Sequence, residues 1–173
     1  NGSITGMGRS GVQTGPQSEI TNLRVRWNRL IGIHTGGFST VSGNTAYENG
    51  STGIYSGAST VSGNTVYGTS GIGIDAAGLS VVFGNSSTHN TGDGIAVSDG
   101  STVSGNTVAD NGGDGIDAQN GCTVSGNTTY KNTLFGLKLG FSSGYRDNVV
   151  LSNGGTITGG VDAGGNVCEN NTT

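Results

Sequence analysis

Charge is scarce in this chain: Asp, Glu, Lys and Arg make up 10% of 173 residues, and the net charge is −4. An acidic balance argues against a nucleic-acid partner. Arg9, Arg24, Arg26 and Arg29 make the first part locally basic, which reads as a solvated end. Long apolar runs are missing too. Nothing approaches the roughly 18 residues of a membrane helix, so no membrane insertion is expected. No apolar leader is present and Asn1 opens the chain without Met, which reads as a processed or trimmed start. Cysteine is limited to Cys122 and Cys168, about two repeats apart, a spacing wrong for zinc. Cys122 stands in a slot otherwise held by Ser59, Ser80 and Ser101 and reads as a small buried side chain, not half of a disulfide.

Hydrophobic residues are also few, at 31%, while glycine is abundant, with 36 residues. Such a composition can mean disorder. Here, however, the glycines keep fixed positions. STVSGNT recurs at 39, 59 and 101, and an alignment on its Asn runs through Asn22, Asn44, Asn64, Asn85, Asn106, Asn127, Asn148 and Asn166. Most steps are 21 residues. A second Asn follows five residues later, at Asn49, Asn90, Asn111, Asn132, Asn153 and Asn171, with Thr69 breaking the file. A third file pairs Gly with an apolar residue, from Gly32-Ile33 to Gly136-Leu137.

Three punctuation marks per period mean three short segments, each alternating with period two as a strand does. Val41, Val61, Val82, Val103 and Val124 point inward from the first segment; Ala46, Val66, Val108, Thr129, Val150 and Cys168 do so from the second; the Ile file and the residue two further on do so from the third. A strand this short buries no face alone. Winding the chain so that each segment stacks on its copy, about 4.8 Å away, builds three parallel sheets round one narrow core. Inward Asn amides then bond to their copies and satisfy the buried corners. The expected fold is all-β: a right-handed parallel β-helix solenoid over 1–173, one domain, and a piece of a longer protein.

VSGNT-x-x-x-N-x-x-x-GI at this period resembles the right-handed parallel β-helix repeat proteins of the pectate-lyase-like superfamily. The resemblance covers nearly the whole chain and implies a secreted, extracellular, bacterial protein that acts on or binds polysaccharide. Lyases, C5-epimerases, hydrolases and glycan-binding surface proteins share the fold, so function must be read from outward residues. No capping helix is visible, and bare solenoid ends invite end-to-end or side-by-side self-association.

Four outward groups stand out. The residues after the Ile file are His34, Tyr55, Asp75, Ala96, Asp117 and Lys138, beside a glycine stripe that would give a sugar chain a shallow floor. His34, Tyr55 and Asp75 are the compact subset, and these residue types suit proton transfer at a uronate. The Asp-Pro-His string of the epimerases is absent, Pro16 being the sole proline. Asp93, Asp114 and Asp117, with Asp110 nearby, form acids whose mutual repulsion Ca²⁺ would relieve. Tyr47, Tyr67 and Tyr130 offer flat rings for sugar faces, with Lys138 as a further ligand-binding residue. Finally, Thr40/Ser42, Thr60/Ser62, Thr102/Ser104 and Thr123/Ser125 make a hydroxyl face similar to ice-binding solenoids, which Val81 and Phe83 interrupt. The preferred reading is a carbohydrate-associating module without strong catalysis of its own; the alternatives are a polysaccharide lyase or epimerase, and a purely structural surface module.

Overall fold

Three-residue strands set the architecture. In Thr102–Ser104 only the middle residue, Val103, points inward; in Thr107–Ala109 it is Val108; in Ile116–Ala118 both ends, Ile116 and Ala118, do. Each coil therefore contributes about four inward side chains, and the next coil supplies their neighbours. The computed structural model describes residues 2–169 and contains strands and corners with no helix among them. Every strand pairing is parallel and, but for one shift in the last long pair, in register from one coil to the next, as in Ile95↔Ile116 and Val103↔Val124. The core is a stack of like residues: Ile33, Ile54, Ile74, Ile95 and Ile116 form one fully buried file, Val41, Val61, Val82, Val103 and Val124 another.

The second strands form a nine-stranded sheet. The first and third strands were expected as separate sheets, but they join into one of 14 strands. The link is a single long strand, Phe135–Arg146, which pairs with a third strand through Leu137 and with a first strand through Tyr145. In that coil strand pairing continues across the corner, where Ser142 keeps the left-handed φ of 57°, with a register shift after Leu139 on its outer neighbour.

A common rule governs the corners. A residue with left-handed backbone is followed by an inward polar residue that bonds to its copy in the next coil. At the first corner Gly63, Gly84 and Gly105 have φ of 61°, 63° and 62°, where glycine carries no Cβ penalty. Asn64, Asn85 and Asn106 follow. The Asn64 N–H and Nδ2 both donate to Asn85 Oδ1, at 2.9 and 3.0 Å, and Asn85 repeats this to Asn106. Asn22 does not belong to this file. It takes the left-handed place itself, with φ of 55°, and the N–H of Leu23 donates to Asn44. The 22-residue step in the alignment was this one-residue offset.

The second ladder starts earlier than the sequence suggested, at Asn28, which donates to Asn49 Oδ1 at 2.9 Å. Thr69 breaks the ladder on one side only: Asn49 Nδ2 donates to the Val25 carbonyl and not to Thr69, while the Thr69 hydroxyl donates to Asn90 Oδ1 at 2.9 Å. Asn171 lies outside the described residues. The third corner carries a serine ladder, with the N–H of Ser39, Ser59 and Ser80 donating to the next hydroxyl, and Cys122 donating its N–H to Ser143. Cys122 is buried and free; Cys168, in register with Val150, is free but exposed, because no described coil covers it.

Candidate functional site

The outer side of the third strands holds one continuous column. Gln13, His34, Tyr55, Asp75, Ala96, Asp117 and Lys138 are in register, rung on rung. The strand pattern forces this: with both flanking residues inward, the middle one must face out. His34 and Tyr55 touch edge to face, ring centroids 4.9 Å apart. Asp75 is the next rung, half-buried, and burial pushes its carboxyl up from its ordinary value. Beside His34 the surface opens into a recess of about 360 Å³ lined by Arg9, Ser10, Gln13, Leu30, Ile31, His34 and Ser51. Arg9 thus joins the column, although the sequence showed it as one of several scattered arginines. Beneath the same strands the hydroxyls of Thr14, Thr35 and Ser56 are buried without a hydrogen-bond partner, and the polar core strip they form was not foreseen.

The glycine stripe does not form a floor for a ligand. Gly32, Gly53, Gly73, Gly94, Gly115 and Gly136 are buried, and the place of each missing side chain is inside. A Cβ on Gly94 or Gly136 would overlap Val108 or Val150 from the second strand, and lie within 2.8 Å of a carbonyl or amide of the following coil. Glycine is needed there because the start of a third strand lies against the second strand and corner of the following coil with no room between them.

The carboxylates of Asp93, Asp114 and Asp117 gather, with oxygens within 4.8 Å of one another. Asp110 stands apart, at a left-handed corner after Thr107–Ala109. The gathering is built into the fold: Asp93 Oδ1 accepts the Asp114 N–H at 2.7 Å, and Asp114 Oδ1 accepts the Phe135 N–H at 2.9 Å. Lys138 supplies the positive charge, its Nζ 2.7 Å from Asp117 and 3.5 Å from Asp114. Burial, reinforced by the Asp114 and Asp117 charges, pushes the Asp93 carboxyl up; the Asp117 carboxylate holds the Lys138 ammonium above its ordinary value. Calcium takes six to eight oxygens. These residues suit it poorly, since two of the oxygens already hold backbone N–H groups and the Lys138 ammonium occupies the side facing Asp114 and Asp117.

On the second strands Tyr47 and Tyr67 are in register and stacked, 5.3 Å apart and 11° from parallel. His89, from a left-handed corner, leans on Tyr67 at 5.0 Å. The rings cover one another, so a polymer would meet their edges and hydroxyls. Tyr130 is three rungs from Tyr67 and has Lys131 over its ring at 5.0 Å. At the other end Arg26 lies over Trp27 at 4.4 Å, and the Trp27 indole donates to Glu48 at 2.7 Å. Trp27 and His89 were not singled out from the sequence, where only their periodic place before the second ladder marks them.

A family model described as a right handed beta helix region matches residues 10–172. The chain belongs to this right-handed β-helix family. No curated protein sequence matches it. Solved β-helices that it resembles include the periplasmic alginate epimerase AlgG (TM-score 0.77, 17% identity, 92% of this chain and 46% of that one). The A-module of the Azotobacter vinelandii mannuronan C-5 epimerase AlgE6 follows (0.62, 17%, 96% and 62%), with pectate lyase Pel9A (0.62, 17%, 86% and 54%). At such identity the likeness is one of fold. The chain spans about half the length of the AlgG structures it matches.

Proposed function

We propose that this chain is a secreted β-helix module that associates with polysaccharide along the outer column of its third strands. The carrying observation is the recess beside His34, where a cation (Arg9) and polar side chains (Ser10, Gln13, Ser51) border an exposed column that continues through Tyr55 and Asp75. A sugar polymer needs such an elongated surface with hydroxyl-binding groups repeated along it. The solved β-helices named above are an alginate epimerase, a mannuronan epimerase and a pectate lyase, which supports the substrate class. A glycan array and affinity electrophoresis test it. Wild type should bind at least one polysaccharide, and Arg9→Ala with His34→Ala should abolish that binding while Tyr67→Ala retains it. Failure of wild type to bind any glycan would refute the proposal in favour of a structural module.

A second reading is a uronate lyase or epimerase at the same place. The contact between His34 and Tyr55 favours it, together with the raised Asp75 carboxyl, because proton removal and return at C5 need an acid and a base set apart in strength. Release of unsaturated uronate from pectate or alginate, or NMR detection of C5 inversion, would establish it; inert polymers would leave association alone.

A further inference from the structure

The outer face of the first strands has a composition unlike the other two. From Thr40 to Ser125, across five rungs, no charged residue occurs in the strands, and Thr or Ser fills the outward places. The exception is one rung. Val81 and Phe83 point outward, 41% and 43% exposed, and Leu79 before them is 78% exposed. Three apolar side chains in one coil, on an otherwise hydroxylated sheet, form a patch that solvent does not favour. Over its first seven rungs this file carries charge only at Glu19, on the first, and Arg146, on the seventh, with Val81–Phe83 as the fourth. The apolar rung is thus midway between an acid and a base.

We infer that this face pairs with the same face of a second copy, the two solenoids antiparallel, about a two-fold axis running along the Val81–Phe83 strand. That axis brings Val81 and Phe83 onto their own copies, as an isologous interface requires. It also sets the Glu19 rung against the Gly144–Arg146 rung of the other copy. Glu19 then faces Gly144, which carries no side chain, with Arg146 two residues along the same strand and able to reach the carboxylate. A parallel pairing would lay the Glu19 rung on the Glu19 rung and the Arg146 rung on the Arg146 rung, like charge beside like, so charge selects the antiparallel one. Six rung spacings give a face about 29 Å long. With a width of about 20 Å, it would bury about 1,200 Å² in total, the lower end for a specific interface. The expected dimer is therefore reversible and forms at micromolar concentration. Val161, paired with Gly144, continues the file one rung beyond and overhangs. The third-strand column stays open.

Sedimentation velocity over a concentration series tests this, in a Cys168→Ser background. Wild type should shift from monomer to dimer. Phe83→Lys should raise the dissociation constant at least about tenfold, since the centre of an interface carries most of its energy. Glu19→Arg and Arg146→Glu should each weaken the dimer several-fold, and the double exchange should restore it to within about twofold. For orientation, a short bis-maleimide should join Thr60→Cys to Thr102→Cys in mixed samples, and neither to itself. A monomer at all concentrations, a dimer indifferent to Phe83→Lys, or Thr60→Cys joined to itself would each overturn the proposal. Circular dichroism of each variant shows that the solenoid is intact.

Discussion

At the scale of single residues, the inward amides carry the architecture. The Asn85 side chain receives two bonds from Asn64, and its Nδ2 donates to Asn106 Oδ1 at 3.0 Å and to the Val61 carbonyl at 2.9 Å. Asn85→Ala strands a buried N–H and a buried carbonyl with no water to replace the amide, each costing about 1–3 kcal/mol. The urea midpoint should fall by the equivalent of about 3 kcal/mol or more. Asp75 acts with the opposite sign. Its folded pKa is raised above the ordinary 3.8, so ionisation is harder in the folded state. The stability that neutral Asp75 contributes is complete below that ordinary value and is lost as pH rises through the folded one. Asp75→Asn should therefore be more stable than wild type at pH 7, and the gap should close when unfolding is measured below about pH 3.8. The Asn files were legible in the sequence because a buried amide that bonds to its own copy cannot be replaced freely. Asn22 and Asn28 were not placed correctly because left-handed corners accept Asn for its backbone and ladders accept it for its side chain, and only geometry separates the two uses.

At the scale of the strand, alternation told which residues face the core but not what glycine does between them. Val103, Val108 and Ile116 were readable as inward from period two alone. The glycine stripe was read as a surface feature, whereas it is the seam where second and third strands press together. Gly94→Ala would drive a methyl into Val108 and to 2.8 Å from the Gly115 carbonyl. Overpacking of that kind costs about 1–3 kcal/mol, and thermal melting should show the loss. An equal substitution at Gly105 leaves space free around the added methyl but forces it onto a backbone with φ of 62°. Lys138 shows a similar limit. Its rung was legible, but its pairing with Asp114 and Asp117 depends on which way a long side chain bends, and the sequence does not carry that.

At the scale of the molecule, each coil touches only its two neighbours, so stability sums locally along the axis. Coils around Val82 and Val103 are covered on both sides, while the outermost described coils are covered on one. Amide hydrogen exchange should be slowest in the strands of Val82 and Val103 and quicken toward Gly2–Thr5 and Val167–Cys168. The long strand Phe135–Arg146 was not foreseen, because its residues FGLKLGFSSGYR keep the inward spacing and its corner, Ser142-Ser143, takes the same left-handed place as Leu79-Ser80 of an earlier coil. A last consequence follows from the uniform pairing distance. Almost every backbone bond joins residues about 21 apart, so no part of the chain waits for a distant partner. A polypeptide threaded out of a narrow exit could lock winding by winding, each new one templated by the last, and never expose more than one unfinished rim to its surroundings.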